Sequence, residues 1–388
     1  MKINKYSSVS AGSLVLALLI LIVYNGKVFS QVVFPLPDHI VIAILENHSY
    51  TQIIGSSTAP NINALASDPY SALFTQSYAI EHPSQPNYLD LYSGSNQGVT
   101  NNELPVEFPF TTPNLGRQLI DAGKTFITYS EDLQEVGYNG ATSAGYVRKH
   151  NPAANWMGTG TNQIPATTNQ PLTAFPSTNF ALLPTVCFVV PNQLNNMHDG
   201  TDPERITRGD NWIYDNLSSY IAWAKTHNSL FILTWDEDNF QVENRIVTIF
   251  TGQVVKAGEY ADTINHYTIL RTIEDIYGLP QIGNASASVP ITNCWNLANG
   301  ENEPDPTGNF FSVYPNPASG VFRIQIESSR MDHLGNVEVF NVFGKKVFKE
   351  SFPGSHLEEI HLKNISHGVY YVKVSDGKRM YTKKLIVK

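Results

Sequence analysis

Two apolar segments of this sequence each end in a cluster of polar side chains that can bind a cation. The segments are His39–Leu45 and Ser229–Trp235, and both have the composition of strands buried on two faces of a sheet. The side chains that follow them are Glu46, Asn47, His48, Asp236, Glu237 and Asp238. Ligands of open α/β sheets bind at the carboxyl ends of the strands. We therefore expect the two strand ends to meet around a metal ion.

Ser84 lies in a second segment whose residues could take part in catalysis. Pro83 and Pro86 flank it, so they restrict the local backbone, and a helix is predicted to follow Pro86. The serine hydroxyl then lies at a helix N-terminus, where backbone N–H groups and the helix dipole favour an anion such as phosphate. The alternative is an N-cap serine in a proline-rich turn.

A third group of candidates carries positive charge or imidazole rings. The clustered basic residues are Arg148, Lys149 and His150. They lie in a long loop region, 131–184, and predict a site for an anionic ligand; the alternative is a solvated basic patch. His198 and Asp199 follow another predicted strand. His266 precedes a helix, and its alternative is a capping or packing function.

Predicted strands and helices alternate over the first 300 residues. The strands are 39–45, 73–78, 125–129, 185–190, 229–235 and 245–250, and the helices are 60–66, 115–122, 209–226 and 267–277. This alternation predicts an α/β fold with a mostly parallel central sheet flanked by helices.

Composition and charge restrict the class of protein. The chain has 388 residues, of which 42% are hydrophobic and 15% charged, as in globular proteins. Up to residue 309 there are 13 Lys and Arg against 27 Asp and Glu, and from residue 310 on there are 12 against 7. Two separate modules would explain this asymmetry. The acidic larger part lacks the basic surface that nucleic acids require, so we expect no nucleic-acid partner.

The N-terminal segment has the pattern of a secretory signal. Lys2 and Lys5 precede an apolar core of eleven residues, 14–24, and a cleavage pattern ends at Ser30. Such a core is too short to span a bilayer comfortably, so we expect no stable membrane span in the mature protein. An uncleaved N-terminal anchor is the alternative.

The chain has two cysteines, Cys187 and Cys294. Cys187 lies within the predicted strand 185–190, where a cysteine is most simply a small buried hydrophobic residue. A disulfide is allowed in an oxidising compartment, and the sequence leaves open whether the two residues pair. Neither is expected to bind metal or act as a nucleophile, which leaves oxygen and nitrogen ligands for any chemistry.

The C-terminal part follows a different pattern. A polar, proline-rich linker, 301–309, separates it from the α/β domain, 31–300, which itself follows the signal peptide, 1–30. Beyond the linker, apolar and polar residues alternate in short runs. The runs are 321–326, 337–342, 369–374 and 383–388. We therefore predict a small all-β sandwich over residues 310–388.

Six short motifs follow one another between residues 38 and 295. They are ENHSY at 46–50, HPSQPNY at 82–88, RKHNP at 148–152, NMHDG at 196–200, WDED at 235–238 and HYTILRTIE at 266–274. In this order they resemble the phosphoesterase family of secreted acid phosphatases and bacterial phospholipases C, within the alkaline-phosphatase-like superfamily. The tail, with YPNPASG at 314–320 and GVYYVKV at 368–374, resembles the C-terminal sorting domain of type IX secretion.

The resemblance implies a metal site with one divalent ion. Its ligands would be Glu46, Asn47, Asp236, Glu237 and the hydroxyl of Ser84, which would also be the nucleophile. Oxygen ligands suit Ca²⁺, Mg²⁺ or Mn²⁺, and zinc also binds carboxylates, so the metal is left open. A bound metal would activate the serine hydroxyl, which is otherwise a weak nucleophile.

The resemblance also implies which residues hold the substrate and transfer protons. They are His150, His198, His266, Arg148 and Lys149. Imidazolium forms of the histidines would protonate the leaving group and favour an acidic pH optimum. Asp199 would orient His198 or bind metal, and Asp238 is either a ligand or a turn residue. His48 and His82 would support a neighbouring ligand.

The expected function is metal-dependent hydrolysis of a small phosphorylated substrate through a phosphoserine intermediate. A broad-specificity acid phosphatase is favoured, because the basic cluster would select a dianionic monoester and no helix is suited to a lipid surface. The alternatives are a phospholipase C acting on phosphodiester lipids and a non-catalytic secreted binding protein. The tail implies contact with the secretion machinery and a secreted or cell-surface location, reached by way of the periplasm and outer membrane.

Overall fold

The computed structural model describes residues 34–240, 243–296, 311–326, 334–341, 345–355, 357–363, 365–375 and 380–388. The predicted signal peptide, 1–30, and linker, 301–309, lie outside these residues. The elements before residue 297 are β1 His39–Leu45, α1 Tyr50–Ile53, α2 Pro60–Ala66, β2 Ser71–Tyr78, α3 Ser84–Ser93, α4 Leu115–Asp121, β3 Phe126–Ser130, β4 Thr142–Ser143, β5 Tyr146–Val147, β6 Asn169–Pro171, β7 Val186–Val190, α5 Glu204–Ala224, β8 Ser229–Trp235, β9 Arg245–Thr251, β10 Gly258–Asn265 and α6 His266–Tyr277.

The central sheet has eight strands within the described residues, in the order β10-β2-β9-β8-β1-β7-β3-β6. Strands β8, β1, β7, β3 and β6 are parallel, as are β10 and β2, whereas β9 is antiparallel to both β8 and β2. The prediction of a mostly parallel α/β sheet flanked by helices is confirmed. β9 is the exception because the segment between it and β8 is too short for a parallel crossover.

Strand β1 is apolar throughout because both of its faces are buried. Its residues alternate between two cores, one on each side of the sheet. The first core includes Ile40, Ile42 and Ile44 with Leu89, Leu119 and Ile269 of α3, α4 and α6. The second includes Val41, Ala43 and Leu45 with Ile62 and Leu217 of α2 and α5. The sheet is therefore the middle of three layers.

The register between β1 and β8 brings the two polar strand ends together. Leu45 pairs with Trp235, and the N–H of Asp236 donates to the carbonyl of Leu45 at 3.0 Å. Glu46 and Asp236 consequently leave the sheet side by side. The expectation that these strand ends meet is confirmed.

Two helices begin earlier than the sequence pattern indicates. Helix α3 begins at Ser84 rather than after Pro86. Proline is tolerated there because the first-turn N–H groups have no partner within the helix. Helix α5 begins at Glu204 rather than at residue 209, with Glu204 in its first turn, where the helix dipole favours an acidic side chain.

A close backbone contact fixes the end of α3. Gly94 caps the helix with φ +68°, and a side chain there would lie 2.5 Å from the carbonyl oxygen of Ile282. Glycine is required on both grounds, because it alone combines a left-handed conformation with so close an approach.

Both cysteines are buried, and neither forms a disulfide. Cys187 lies in β7, where it packs in the second core as a small apolar residue. Cys294 packs in the first core, on the other side of the sheet. The interpretation of Cys187 as a buried hydrophobic residue is confirmed.

The C-terminal part forms two antiparallel sheets. The strands described there are β11 Phe311–Tyr314, β12 Val321–Ile326, β13 Leu334–Asn341, β14 Lys346–Ser355, β15 Leu357–His361, β16 Gly368–Ser375 and β17 Met380–Val387. One sheet has the order β11-β12-β15 and the other β14-β13-β16-β17. Their common core draws only on residues from 311 onward, and Phe322, Val339 and Val372 are completely buried in it. The all-β prediction is confirmed, with more strands than the sequence pattern indicated.

Because the C-terminal strands have a core of their own, we expect them to be dispensable for chemistry. A protein truncated after Gly300 should keep the kcat of the full chain on an aryl phosphate and unfold with an unchanged midpoint for the α/β part. Circular dichroism and steady-state kinetics on both forms would check this. Loss of activity in a truncated protein that still folds would contradict it.

Candidate active site

Ser84 lies between two buried carboxylates. Its hydroxyl is placed to donate to Glu237 Oε1 at 2.9 Å or to Glu46 Oε2 at 3.1 Å. All three side chains are almost completely buried. Glu46 comes from the end of β1, Glu237 from the end of β8 and Ser84 from the first residue of α3. Three separate elements therefore meet at one hydroxyl group.

Asn47 and Asp236 adjoin this group. The backbone N–H of Asn47 donates to Asp236 Oδ1 at 3.1 Å, and Asn47 adopts a left-handed conformation with φ +50°. The other side-chain oxygens, Asn47 Oδ1 and Asp236 Oδ2, are buried without a hydrogen-bond partner. Buried polar atoms are almost always partnered in proteins, so these two indicate a function.

The carboxylates perturb one another strongly. Burial raises the pKa of Glu237 to about 6, against the lowering effect of its contacts with His82 and Ser84. Burial raises the pKa of Asp236 well above its usual range, and the charges of Glu46 and Glu237 raise it further. For Glu46, burial raises the pKa, but His150, Lys149 and Tyr88 together outweigh it, and the pKa falls to about 2. Carboxyl groups held together in this way would be stabilised by a cation.

The donor set fits a hard divalent cation. In the described ranges, no group of three or more His, Cys, Asp or Glu side chains is arranged to hold a metal ion. The expected ligands nevertheless combine three carboxylates, one amide and one hydroxyl, which is oxygen chemistry throughout. A cation would also give partners to the two unpaired oxygens of Asn47 and Asp236. Metal binding by these residues stays a prediction.

Tyr88 is a site residue that the sequence analysis did not select. Its hydroxyl donates to Glu46 Oε1, and its ring stacks on His150 with centroids 5.2 Å apart. His150 Nε2 lies 3.1 Å from Glu46 Oε1, and Nδ1 lies 3.1 Å from the amide nitrogen of Asn196. The available signal was the spacing, because residues four apart on a helix share a face and Tyr88 is four beyond Ser84.

Lys149, His198 and Asp199 form a partly exposed group beside His150. His198 Nδ1 donates to Asp199 Oδ1 at 2.7 Å, which leaves Nε2 as an acceptor 3.4 Å from Lys149 Nζ. The rings of His198 and His150 are 5.9 Å apart. Asp199 thus orients His198, the first of the two functions considered for it.

His266 is buried beside the backbone of Asp236, and its Nδ1 has no hydrogen-bond partner. It is 1% exposed, and Nε2 donates to the carbonyl oxygen of Asp236 at 2.8 Å. Burial lowers its pKa to about 4 and also lowers the pKa of His150. The expectation that His150 and His266 hold phosphate oxygens and transfer protons stays a prediction. In this structure His266 fixes the backbone that carries Asp236.

Arg148 is also buried. It is 2% exposed, and its guanidinium group donates to the carbonyl oxygens of Asn139 and Ala154 and to the amide oxygen of Asn155. It also lies 4.0 Å from the ring centre of Phe108. Three of its five N–H groups are thus used by the protein, so Arg148 supports the loop in this structure, and its contact with substrate stays a prediction.

The neighbouring polar residues support the site. His48 lies between the carbonyl oxygen of Glu46 at 2.7 Å and Asp202 Oδ1 at 3.0 Å. His82 contacts Glu237 through Nδ1. Asp238 accepts from backbone N–H groups of the turn before β9, so the structure places it as a turn residue.

The chain is similar in sequence to known phosphatases. Residues 56–280 match the model of the phosphoesterase family. A phosphatidylinositol-3-phosphatase of Mycobacterium tuberculosis is 45% identical over 258 residues, which cover 66% of this chain and 82% of that protein. The chain belongs to the phosphoesterase family. The predicted hydrolase acting on phosphate esters is confirmed.

Other relatives of this phosphoesterase are more distant. A phosphate-repressible acid phosphatase of Penicillium chrysogenum is 29% identical over 63% of this chain, which spans 60% of the length of that protein. A solved structure of a protein in the alkaline phosphatase superfamily from Vibrio parahaemolyticus is similar over 92% of this chain and 84% of that one, with 12% identity and a TM-score of 0.45.

The tail of this phosphoesterase resembles a transport signal. Residues 312–388 match the model of the secretion system C-terminal sorting domain. This match indicates a secreted or cell-surface protein that passes through the periplasm and outer membrane, as predicted. Among the helices that the structure describes, none combines the length and apolar character needed to cross a membrane.

The neighbouring residues Arg148 and Lys149 should respond differently to substitution. Arg148→Leu leaves buried carbonyl groups unpaired, so we expect the free energy of unfolding to fall by about 2 kcal/mol or more. Lys149→Ala, the matched control, should change it by less than about 0.5 kcal/mol. Urea denaturation would measure both. A fully stable Arg148→Leu protein with weakened substrate binding would support the expectation that Arg148 binds substrate.

Proposed function

We propose that this phosphoesterase is a metal-dependent acid phosphatase that hydrolyses phosphomonoesters through a phosphoserine at Ser84. The observation that carries the proposal is the Ser84 hydroxyl held between Glu46 and Glu237, next to the unpaired oxygens of Asn47 and Asp236. A nucleophile, its orienting groups and a set of hard oxygen donors thereby coincide. The relatives named above are phosphatases, which supports the same reading.

The serine and its carboxylates would perform the first step. Ser84 Oγ attacks phosphorus, and its proton passes to the carboxylate toward which it already donates, Glu237 or Glu46. The Oγ–phosphorus bond forms while the bond from phosphorus to the alcohol oxygen breaks. Water then attacks the phosphoserine, which releases phosphate and returns the proton to Ser84.

The residues that would hold the metal are Glu46, Asn47, Ser84, Asp236 and Glu237. A divalent cation bound there supplies Lewis-acid chemistry, because it lowers the pKa of the hydroxyl and neutralises phosphoryl oxygens. Tyr88 and His150 keep the Glu46 carboxylate in place. Asn47 presents its amide oxygen through a left-handed backbone conformation.

The protein must also neutralise the phosphoryl charge from the side away from the carboxylates. The N-terminus of α3 contributes its dipole, but few amide donors, because the N–H of Gln85 donates to Asn102 and Pro86 has none. Lys149 is the partly exposed cation beside His150 and His198. We assign it to a phosphoryl oxygen. We assign His198, oriented by Asp199, to the leaving alcohol oxygen, which its imidazolium form would protonate through Nε2, and the attacking water of the second step would return that proton.

This arrangement favours monoesters over diesters. A phosphomonoester carries nearly two negative charges at neutral pH, about one more than a diester, and a lysine contact rewards the additional charge. A phospholipase C acting on diester lipids is the second candidate on the same centre. The names of the relatives favour the monoester reading.

Substitution of the nucleophile tests the mechanism. Ser84→Ala should lower kcat on an aryl phosphate by about a thousandfold or more. Ser93→Ala, at the other end of α3, is the matched control and should retain activity. Rapid quenching of the wild-type protein followed by peptide mass spectrometry should find a phosphoryl group on Ser84. Chelation should abolish turnover, and single added metals should restore it. An active Ser84→Ala protein would refute the phosphoserine.

Substitution of Lys149 tests the choice of substrate. Lys149→Ala should lower kcat/KM by about tenfold more for an aryl monoester than for a matched aryl diester, because only the monoester gains from the additional charge. Lys149→Arg keeps the charge and should preserve most of the preference. An equal loss of kcat/KM on both substrates would show that Lys149 does not discriminate between monoesters and diesters.

A further inference from the structure

Phe240 is an exposed aromatic residue held in a strained conformation. It is 62% exposed and has φ +62°, a region that bulky side chains rarely adopt. Its N–H donates to Asp238 Oδ1 at 2.7 Å, while Asp238 also exchanges hydrogen bonds with Asn244. Asp238 is completely buried. The turn therefore keeps the ring in place despite its exposure to solvent and despite the strain of the positive φ. Both are unfavourable, and such strain is typical of functional positions.

The ring of Phe240 lies close to the nucleophile. It stacks on His82 with centroids 4.0 Å apart and an interplanar angle of 26°. His82 contacts Glu237, whose other oxygen lies 2.9 Å from Ser84 Oγ. One face of the Phe240 ring is thus covered by His82, and much of the remainder is open to solvent beside the site.

We propose that Phe240 determines specificity by contacting the alcohol part of the ester, and that it favours substrates with aromatic leaving groups. This inference rests on the phosphatase function proposed above. The ring is not suited to the phosphoryl group, because the face of an aromatic ring is electron-rich and offers no hydrogen-bond donor. The phosphoryl position is instead surrounded by the polar residues already described.

The positions of the charged and apolar groups support this assignment. A chain of contacts through His150 and Glu46 connects Lys149 and His198 to Ser84. A second chain, through His82 and Glu237, connects Phe240 to Ser84. Ser84 lies between the two carboxylates. An ester at Ser84 would consequently have Lys149 and His198 on the side of Glu46 and the Phe240 ring on the side of Glu237.

The test compares two monoesters with different alcohols, naphthyl phosphate and glycerol phosphate, on the full chain. Phe240→Ala should lower kcat/KM for naphthyl phosphate by about threefold to tenfold, mainly through KM, and change that for glycerol phosphate by less than about twofold. Phe240→Trp keeps an aromatic face and should preserve the preference. Leu182→Ala, 74% exposed before the start of β7, is the control and should change neither.

The outcomes separate this inference from the function on which it rests. If the wild-type protein hydrolyses neither ester, the proposed phosphatase function fails. If it hydrolyses both and Phe240→Ala slows both equally, Phe240 only positions His82 and the specificity assignment is overturned. Loss of the aromatic preference in Phe240→Trp as well would also overturn it, because the ring would then not be the recognised group.

Discussion

The enclosure of three carboxyl groups in one buried cluster is the constraint on which the site depends. Glu46, Asp236 and Glu237 are removed from water almost completely, and burial together with neighbouring charge raises the pKa of Asp236 and of Glu237. Folding can hold them together only if the elements that carry them are rigid. The parallel pairing of β1 and β8 supplies that rigidity, because both strands are buried on both faces and a one-residue slip would move every side chain into the opposite core, where it does not fit.

Hydrogen bonds to the side chain of Asn87 hold the loop that precedes Ser84. Asn87 accepts hydrogen bonds from the N–H groups of Ile80 and Glu81 and donates to the carbonyls of Glu81 and Pro83. One side chain thereby satisfies four backbone groups just before the helix. Asn244 donates to the carbonyl of Glu81 from the turn before β9, so the serine loop and the acidic strand end are joined directly.

The sequence predicted the parts of the site that depend on strand ends, and it failed where loop geometry decides. Apolar runs ending in acids fix β1 and β8, and the register between them follows from burial. Arg148 and Lys149 appeared as one basic cluster, but they lie in a 3-10 turn, in which adjacent residues point about 120° apart. One side chain is therefore buried and its neighbour is not. No periodicity in a loop reveals that division, and none reveals the burial of His266 at the start of α6.

Ser84 and its carboxylates are held more rigidly than the turns around them, and this difference has a functional consequence. Ser84 is the first residue of a helix and the three carboxylates directly follow two strands, so their geometry is coupled to the two cores of the domain. Lys149 and Phe240 belong to turns, where substitutions disturb fewer buried contacts. With Lys149 and Phe240 in the roles proposed above, substitutions in these turns would alter the charge and the shape of the accepted ester without disturbing Ser84 and its carboxylates. A preference for one phosphate ester over another should be sought in these turns rather than in the carboxylates.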